Sequence, residues 1–220
     1  CLTFFSLANA QTIPSFTSSA PSGTVIYDRP FTYAFSATDG DSDPISFFVP
    51  GSQQNDANLP LGTYSANGAV SSLWQSFTAG TTGLMTSGAL TTFHTNQFGG
   101  SVTANVYSGT GTGGTLLYSV SIHIPNSFTS HSFTIPLSAN VVLVAGQTYT
   151  LEFNASSAIM YGTLMTGNPY AGGRSFWSGT LDTPFLIKIN PFTTTPSATW
   201  LTLTDNGDGT GSLSGTPLAA

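Results

Sequence analysis

Residues 101–124 read SVTANVYS, then GTGTGGT, then LLYSVSIHI, and this stretch decides the fold class. In the first run Val102, Ala104 and Val106 point one way while Ser101, Thr103 and Asn105 point the other. In the last run Leu116, Tyr118, Val120, Ile122 and Ile124 alternate with Leu117, Ser119, Ser121 and His123. A period of two is the signature of a half-buried strand, because successive side chains of an extended chain leave on opposite faces. Ser108–Gly114 between the runs is dense in glycine and reads as a hairpin loop. Gly109-x-Gly111-x-x-Gly114 also spells the dinucleotide spacing. That motif works by aiming a helix N-terminus at a pyrophosphate, and here another strand follows, so the glycines are read as a turn.

Working outward, further strand signals fall at Phe133-Ile135-Leu137, Val141 to Val144, Tyr149-Leu151-Phe153 and Phe185-Ile187-Ile189. No segment keeps a helical period for three turns. Short, evenly spaced strands with polar turns predict an all-β, antiparallel sandwich. Composition agrees: of 220 residues, 5% are charged and 40% hydrophobic, with 24 glycines and 13 prolines, too little charge for helix surfaces and ample material for a core. The net charge is −6 and the cations are only Arg29, Arg174 and Lys188, which leaves nothing to neutralise a phosphate backbone. Nucleic acid and anionic membrane surfaces are therefore not expected as partners. No apolar run is long enough to span a bilayer.

Residues 1–10 read as the tail of a signal peptide, with Leu2, Phe4, Phe5 and Leu7 leading to Ala8-Asn9-Ala10, a small-x-small cleavage pattern. The mature chain is then expected to start at Gln11, to lack cysteine, and to be secreted or displayed at the cell surface.

The two flanks look like halves of one domain. Phe31-Thr32-Tyr33-Ala34-Phe35-Ser36-Ala37-Thr38-Asp39, with Asp43-Pro44 nearby, pairs in pattern with Trp200-Leu201, a turn, and Leu213-Ser214-Gly215-Thr216-Pro217. Together they resemble the immunoglobulin-like, cadherin-like repeats of bacterial surface proteins, in which the two pieces are almost contiguous. The resemblance implies a partial immunoglobulin-like sandwich, residues 11–50 and 191–220, interrupted by residues 51–190. The family would add strands after Pro217, so the chain reads as part of a longer, multidomain protein whose neighbouring domains are partners. The insert, through Trp74-Gln75-Ser76-Phe77-Thr78-Ala79-Gly80, Val106-Tyr107-Ser108-Gly109, Ala145-Gly146-Gln147-Thr148-Tyr149-Thr150-Leu151 and Gly167-Asn168-Pro169-Tyr170-Ala171-Gly172-Gly173, is similar to jelly-roll modules of secreted bacterial proteins, some of them carbohydrate-binding-like.

Three constellations could carry chemistry. Asp39, Asp41 and Asp43 alternate in one loop, and Asp205 and Asp208 occupy a second turn of the split domain. Carboxylates gathered this closely repel one another unless a hard cation such as calcium compensates them; the alternative is that Asp simply builds turns. The helix-loop-helix calcium pattern fails, because its sixth position is Pro44 rather than Gly. The histidines His94, His123 and His131 match no compact zinc spacing. For glycoside hydrolysis the insert offers Glu152, Asp56 and Asp182, yet Glu152 shares a strand face with Thr148, Thr150 and Asn154 and is read as solvated. No enzyme activity is expected.

The remaining candidate is the loop Asn168-Pro169-Tyr170-Ala171-Gly172-Gly173-Arg174-Ser175-Phe176-Trp177, with Trp74 as a neighbour. Sugar rings stack apolar faces on Trp or Tyr while their hydroxyls seek amide or guanidinium groups. Asn168, Tyr170, Arg174, Trp177 and Trp74 are thus the expected ligand-binding residues, for a polysaccharide or extracellular matrix, with calcium assisting at the Asp clusters. The rival reading has Tyr170, Phe176 and Trp177 plugging the sandwich end and Arg174 paired locally, for example to Asp182, in a structural spacer without small ligand.

Overall fold

The computed structural model describes residues 3–5, 15–19, 28–40, 45–60, 64–93, 100–124, 130–136, 141–155, 160–165, 169–176, 181–196 and 198–217. Its strands are β1 (Thr3–Phe5), β2 (Ser15–Phe16), β3 (Phe31–Thr38), β4 (Ser46–Pro50), β5 (Gln54–Leu59), β6 (Tyr64–Val70), β7 (Ser72–Thr78), β8 (Gly83–Phe93), β9 (Gly100–Ser108), β10 (Leu116–Ile124), β11 (Ser130–Pro136), β12 (Val142–Leu143), β13 (Thr148–Asn154), β14 (Met160–Met165), β15 (Phe185–Thr193), β16 (Leu201–Asp205) and β17 (Thr210–Gly215). Among the described residues there is no helix, and so none long and apolar enough to cross a membrane. The protein is all-β and its sheets pack as a β-sandwich. The chain divides into two compact units, Gln53–Asn190 and the pair Cys1–Ser52 with Pro191–Ala220.

In the Gln53–Asn190 unit one sheet has the order β10-β9-β13-β7. The other places β15, β8, β14 and β6 side by side, with β5 on β15 and β11 and β12 on β8. Alternation explains what lies between them. Leu73 and Phe77 of β7, Val102, Ala104 and Val106 of β9, and Tyr149, Leu151 and Phe153 of β13 meet Ala57, Leu59, Met85, Leu90, Met165, Phe185, Ile187 and Ile189 in one buried cluster. Each fully buried large side chain contributes about 2–3 kcal/mol of transfer free energy, so this cluster dominates the unit's stability. On β10, Tyr118, Val120 and Ile122 lean on the cluster while Ser119, Ser121 and His123 are exposed.

The hairpin joining β9 and β10 forms where the glycines stand. Gly109 and Gly111 have φ of 78° and 80°, a left-handed conformation that costs other residues about 1–2 kcal/mol. A bulge at Leu117 moves the register from Leu116 opposite Tyr107 to Tyr118 opposite Val106, which restores the inward face.

The second unit holds the sheet β16-β17-β3-β2 and the pairing of β1 with β4. Thr3–Phe5 lie opposite Phe48–Ser46, upstream of the expected cleavage after Ala10. Its core is small: Phe35, Ala37, Ile45, Phe47 and Leu203, with Tyr33, Val49 and Leu213 packed around them. Phe35 and Phe47 meet edge-to-face at 4.6 Å, and Phe16 stacks on Phe47 at 6.1 Å.

Candidate functional site

The outward face of β10-β9-β13-β7 carries the polar half of each alternation. Opposite the buried Leu151 and Phe153, Thr148, Thr150, Glu152 and Asn154 leave β13 on this face; their register partners on β7 are Thr78, Ser76, Trp74 and Ser72. On β9 the partners of Thr150 and Glu152 are Tyr107 and Asn105.

Here the structure corrects the reading of Glu152 as solvated. The residue is 2% exposed. β13 is an internal strand, so its polar face is flanked on both sides. Glu152 Oε1 accepts from Ser72 Oγ at 2.6 Å and Asn154 Nδ2 at 3.3 Å, and Oε2 accepts from Asn105 Nδ2 at 2.8 Å and Tyr107 Oη at 3.1 Å. A buried carboxylate without such donors would be costly, and these four replace its water. Burial first, then the negative charge of Glu152 and its hydrogen bond, push the Tyr107 phenol above its ordinary value.

Two loops rise from this face. The hairpin loop folds over Thr150, whose Oγ1 accepts from Gly111 N–H and donates to Gly109 carbonyl, both at 2.8 Å. Gly111 is buried there, and a Cβ on it would stand 3.7 Å from the Trp74 ring, which is itself half-buried. The second loop, Tyr170–Phe176, lies along the edge of β7. Ser76 N–H donates to Arg174 carbonyl at 2.8 Å, Arg174 N–H donates to Ser76 Oγ at 2.7 Å, and Phe176 N–H donates to Trp74 carbonyl at 3.1 Å. Glycine is required for this approach, since a Cβ on Gly173 would sit 1.9 Å from Ser76 carbonyl oxygen. Between the loops lies an open groove of about 400 Å³, lined by Ser76, Thr78 and Thr148 of the strands, Thr110 of the hairpin loop, and Ala171 to Arg174 of the second.

The expected binding residues part company. Arg174 is exposed and lines the groove, and Trp74 stands on the same face as its floor. Tyr170 is turned inward, as a plug rather than a platform. Its ring meets Phe185 edge-to-face at 4.8 Å and its Oη accepts from Thr78 N–H at 3.2 Å. Burial raises its phenol pKa. Asn168 and Trp177 lie outside the described residues. The groove-lining Thr78, Thr110 and Thr148 were not among the expected residues. Their signal was the polar phase of the strands around Trp74 and Tyr149, legible only once the outward face is known to be walled by loops.

Asp182 is fully buried, and its carboxylate accepts from Gln75 Nε2 at 3.0 Å and Tyr170 N–H at 2.7 Å. Asp56 Oδ2 accepts from Gly80 N–H at 3.0 Å. In the smaller unit, Asp205 Oδ1 accepts from Gly207 N–H at 3.0 Å and Oδ2 from Phe47 N–H at 3.1 Å. Asp208 Oδ1 accepts from Thr210 N–H at 2.9 Å, and these Thr210 bonds hold the exposed Asp208 carboxyl below its ordinary value. The bonds of Asp205 to Gly207 and of Asp208 to Thr210 are those of Asp building turns. Asp39 is half-buried after β3, Asp41 and Asp43 lie outside the described residues, and among the described residues no three His, Cys, Asp or Glu gather as a metal site. His123 is exposed on β10, His131 lies opposite Thr92 in β11, and His94 is outside the described residues.

No family model and no curated protein matches the chain. Among solved structures, one of infectious bursal disease virus Gx strain is 14% identical with a TM-score of 0.21, covering 93% of this chain and 43% of that one. One of the Gt strain is 16% identical with a TM-score of 0.19, covering 94% and 44%. This chain thus spans under half the length of those two, and a likeness at such TM-scores carries no argument.

Proposed function

We propose that the chain is a non-catalytic extracellular binding module of a larger bacterial surface or secreted protein, and that it holds a polysaccharide in the groove between the two glycine loops. One observation carries this reading: Thr78, Thr110, Thr148 and the exposed Arg174 line one open groove, on the sheet face that also carries Trp74. Hydroxyls both donate and accept, which suits the mixed donors and acceptors of a sugar ring. Support for a non-catalytic role comes from Glu152, which is enclosed by neutral donors instead of facing a second carboxyl across a cleft.

Thermal unfolding across a panel of soluble neutral and acidic polysaccharides tests the reading, since a ligand that binds only the folded state raises Tm. The expected result is a rise with at least one polymer that is lost in Thr110→Trp, a substitution at an exposed residue that fills the groove without touching the core. The structural spacer is the second reading, favoured by the inward turn of Tyr170. It predicts a flat response throughout.

A further inference from the structure

We infer that the groove selects acidic glycans, with Arg174 receiving the carboxylate of a uronic acid unit; this rests on the binding-module reading above. The chain has three cationic side chains in 220 residues, and one of them stands in the groove. No carboxylate is among the groove's lining residues. Nearby, Glu152 bonds with Ser72, Asn105 and Tyr107, Asp182 with Gln75 and the Tyr170 N–H, and Asp56 with the Gly80 N–H.

The backbone that presents Arg174 is fixed at short range. Its N–H and carbonyl both bond to Ser76, whose Oγ accepts from that N–H at 2.7 Å and donates to that carbonyl at 3.0 Å. Thr78 Oγ1 donates to Gly172 carbonyl at 2.7 Å. A Cβ on Gly172 would stand 2.6 Å from Tyr170 Oη, so the two glycines together let the segment lie against β7 with Arg174 at its end. A guanidinium so placed offers a planar, paired set of donors that fits a carboxylate in two parallel hydrogen bonds. The hydroxyls of a neutral sugar can accept from the guanidinium but bring no charge to the pair, whereas a uronate places one carboxylate and several hydroxyls on the same ring. The chain's net charge of −6 opposes an acidic polymer at long range. Beyond about 8 Å, however, physiological salt screens that repulsion, and the local charge in the groove decides.

The test measures affinity of the full chain, by titration calorimetry, for polygalacturonate and alginate and for the same two polymers after reduction of their carboxyls to alcohols. At least one acidic polymer is expected to bind about tenfold or more tightly than its reduced form, the ratio set by one charge-assisted pair. Arg174→Gln should erase that ratio and Arg174→Lys should keep part of it, both with unchanged Tm because the side chain is exposed. Equal binding of acidic and reduced polymers, or an acid preference that survives in Arg174→Gln, overturns the inference while leaving the binding module intact. If neither acidic polymer binds but a neutral polysaccharide raises Tm, the inference again falls alone. If nothing binds or shifts Tm, both fall and the spacer stands.

Discussion

The two units solve the same problem on different scales. Among the described residues the Gln53–Asn190 unit buries one cluster from Ala57 to Ile189, in which strands of two sheets contribute Phe77, Leu151, Phe153 and Ile187. The smaller unit buries Phe35, Ala37, Ile45, Phe47 and Leu203 and leans heavily on the Phe16–Phe35–Phe47 ring contacts. Among the described residues the buried polar side chains, Gln75, Ser76, Asn105, Thr150, Glu152, Ser175, Asp182 and Thr183, fall in the larger unit. A buried polar group repays its desolvation only in part, so a large apolar core is what allows a unit to carry them. The lesson is that the polar network and the groove it frames sit where there is stability to spare.

The largest expected effect breaks this comparison at its root. Phe47→Ala removes the centre of the small core and should cost about 3–5 kcal/mol, enough to unfold a marginal unit. Phe153→Ala carries a similar local cost in the larger unit, which should remain folded. Calorimetry with hydrogen exchange separates the two cases, and loss of both units in either variant would contradict the difference in reserve.

Next comes the acid pair that contrasts the units. Glu152→Leu leaves the donors of Ser72, Asn105 and Tyr107 without their acceptor and should cost about 3 kcal/mol in denaturant unfolding. Asp208→Asn, at an exposed turn, should leave the unfolding midpoint nearly unchanged. A glycine pair sharpens the comparison further. Gly173→Ala must move Ser76 or the loop, at about 1–3 kcal/mol, and should abolish any polysaccharide-induced rise in Tm. Gly207→Ala, with φ of 74° and open space around it, should cost only the left-handed strain of about 1 kcal/mol.

The smallest effect is a pH dependence. Tyr107, Tyr149 and Tyr170 of the larger unit all have phenols raised from 10.0, chiefly by burial. Unfolded tyrosines lose their protons first, so the unfolded state binds fewer protons above that pH and stability falls as pH rises past 10. Urea midpoints followed from neutral to alkaline pH should show this decline, and Tyr107→Phe should make it shallower. An unchanged slope in that variant would place the titration elsewhere.

Much of the fold was legible. β9, β10, β13 and β15 contain the alternating runs read from sequence, and the hairpin turns where its glycines stand, because period-two burial and left-handed turns are written locally. β8 escaped that reading, since Leu84 and Met85 are adjacent and both buried, and a strand covered on both faces loses its alternation. For the site, Arg174 and Trp74 were within reach as residue types, since a cation and an indole stand out in a chain with so little charge. The burial of Glu152 was not, because it does not follow from the residue's own strand, and the sequence left Tyr170 open between platform and plug.

The sequence by itself determined an all-β chain with antiparallel strands, a glycine-built hairpin and little surface charge. These follow from side-chain alternation and backbone preference, which act between near neighbours. Only the tertiary structure decided which polar residues are buried, which aromatic becomes a plug, and that Thr110 and Arg174 face one groove. Those facts depend on β7, β9 and β13 lying side by side and on two loops closing over them, and the free energies involved belong to contacts between residues as far apart in the chain as Ser76 and Arg174.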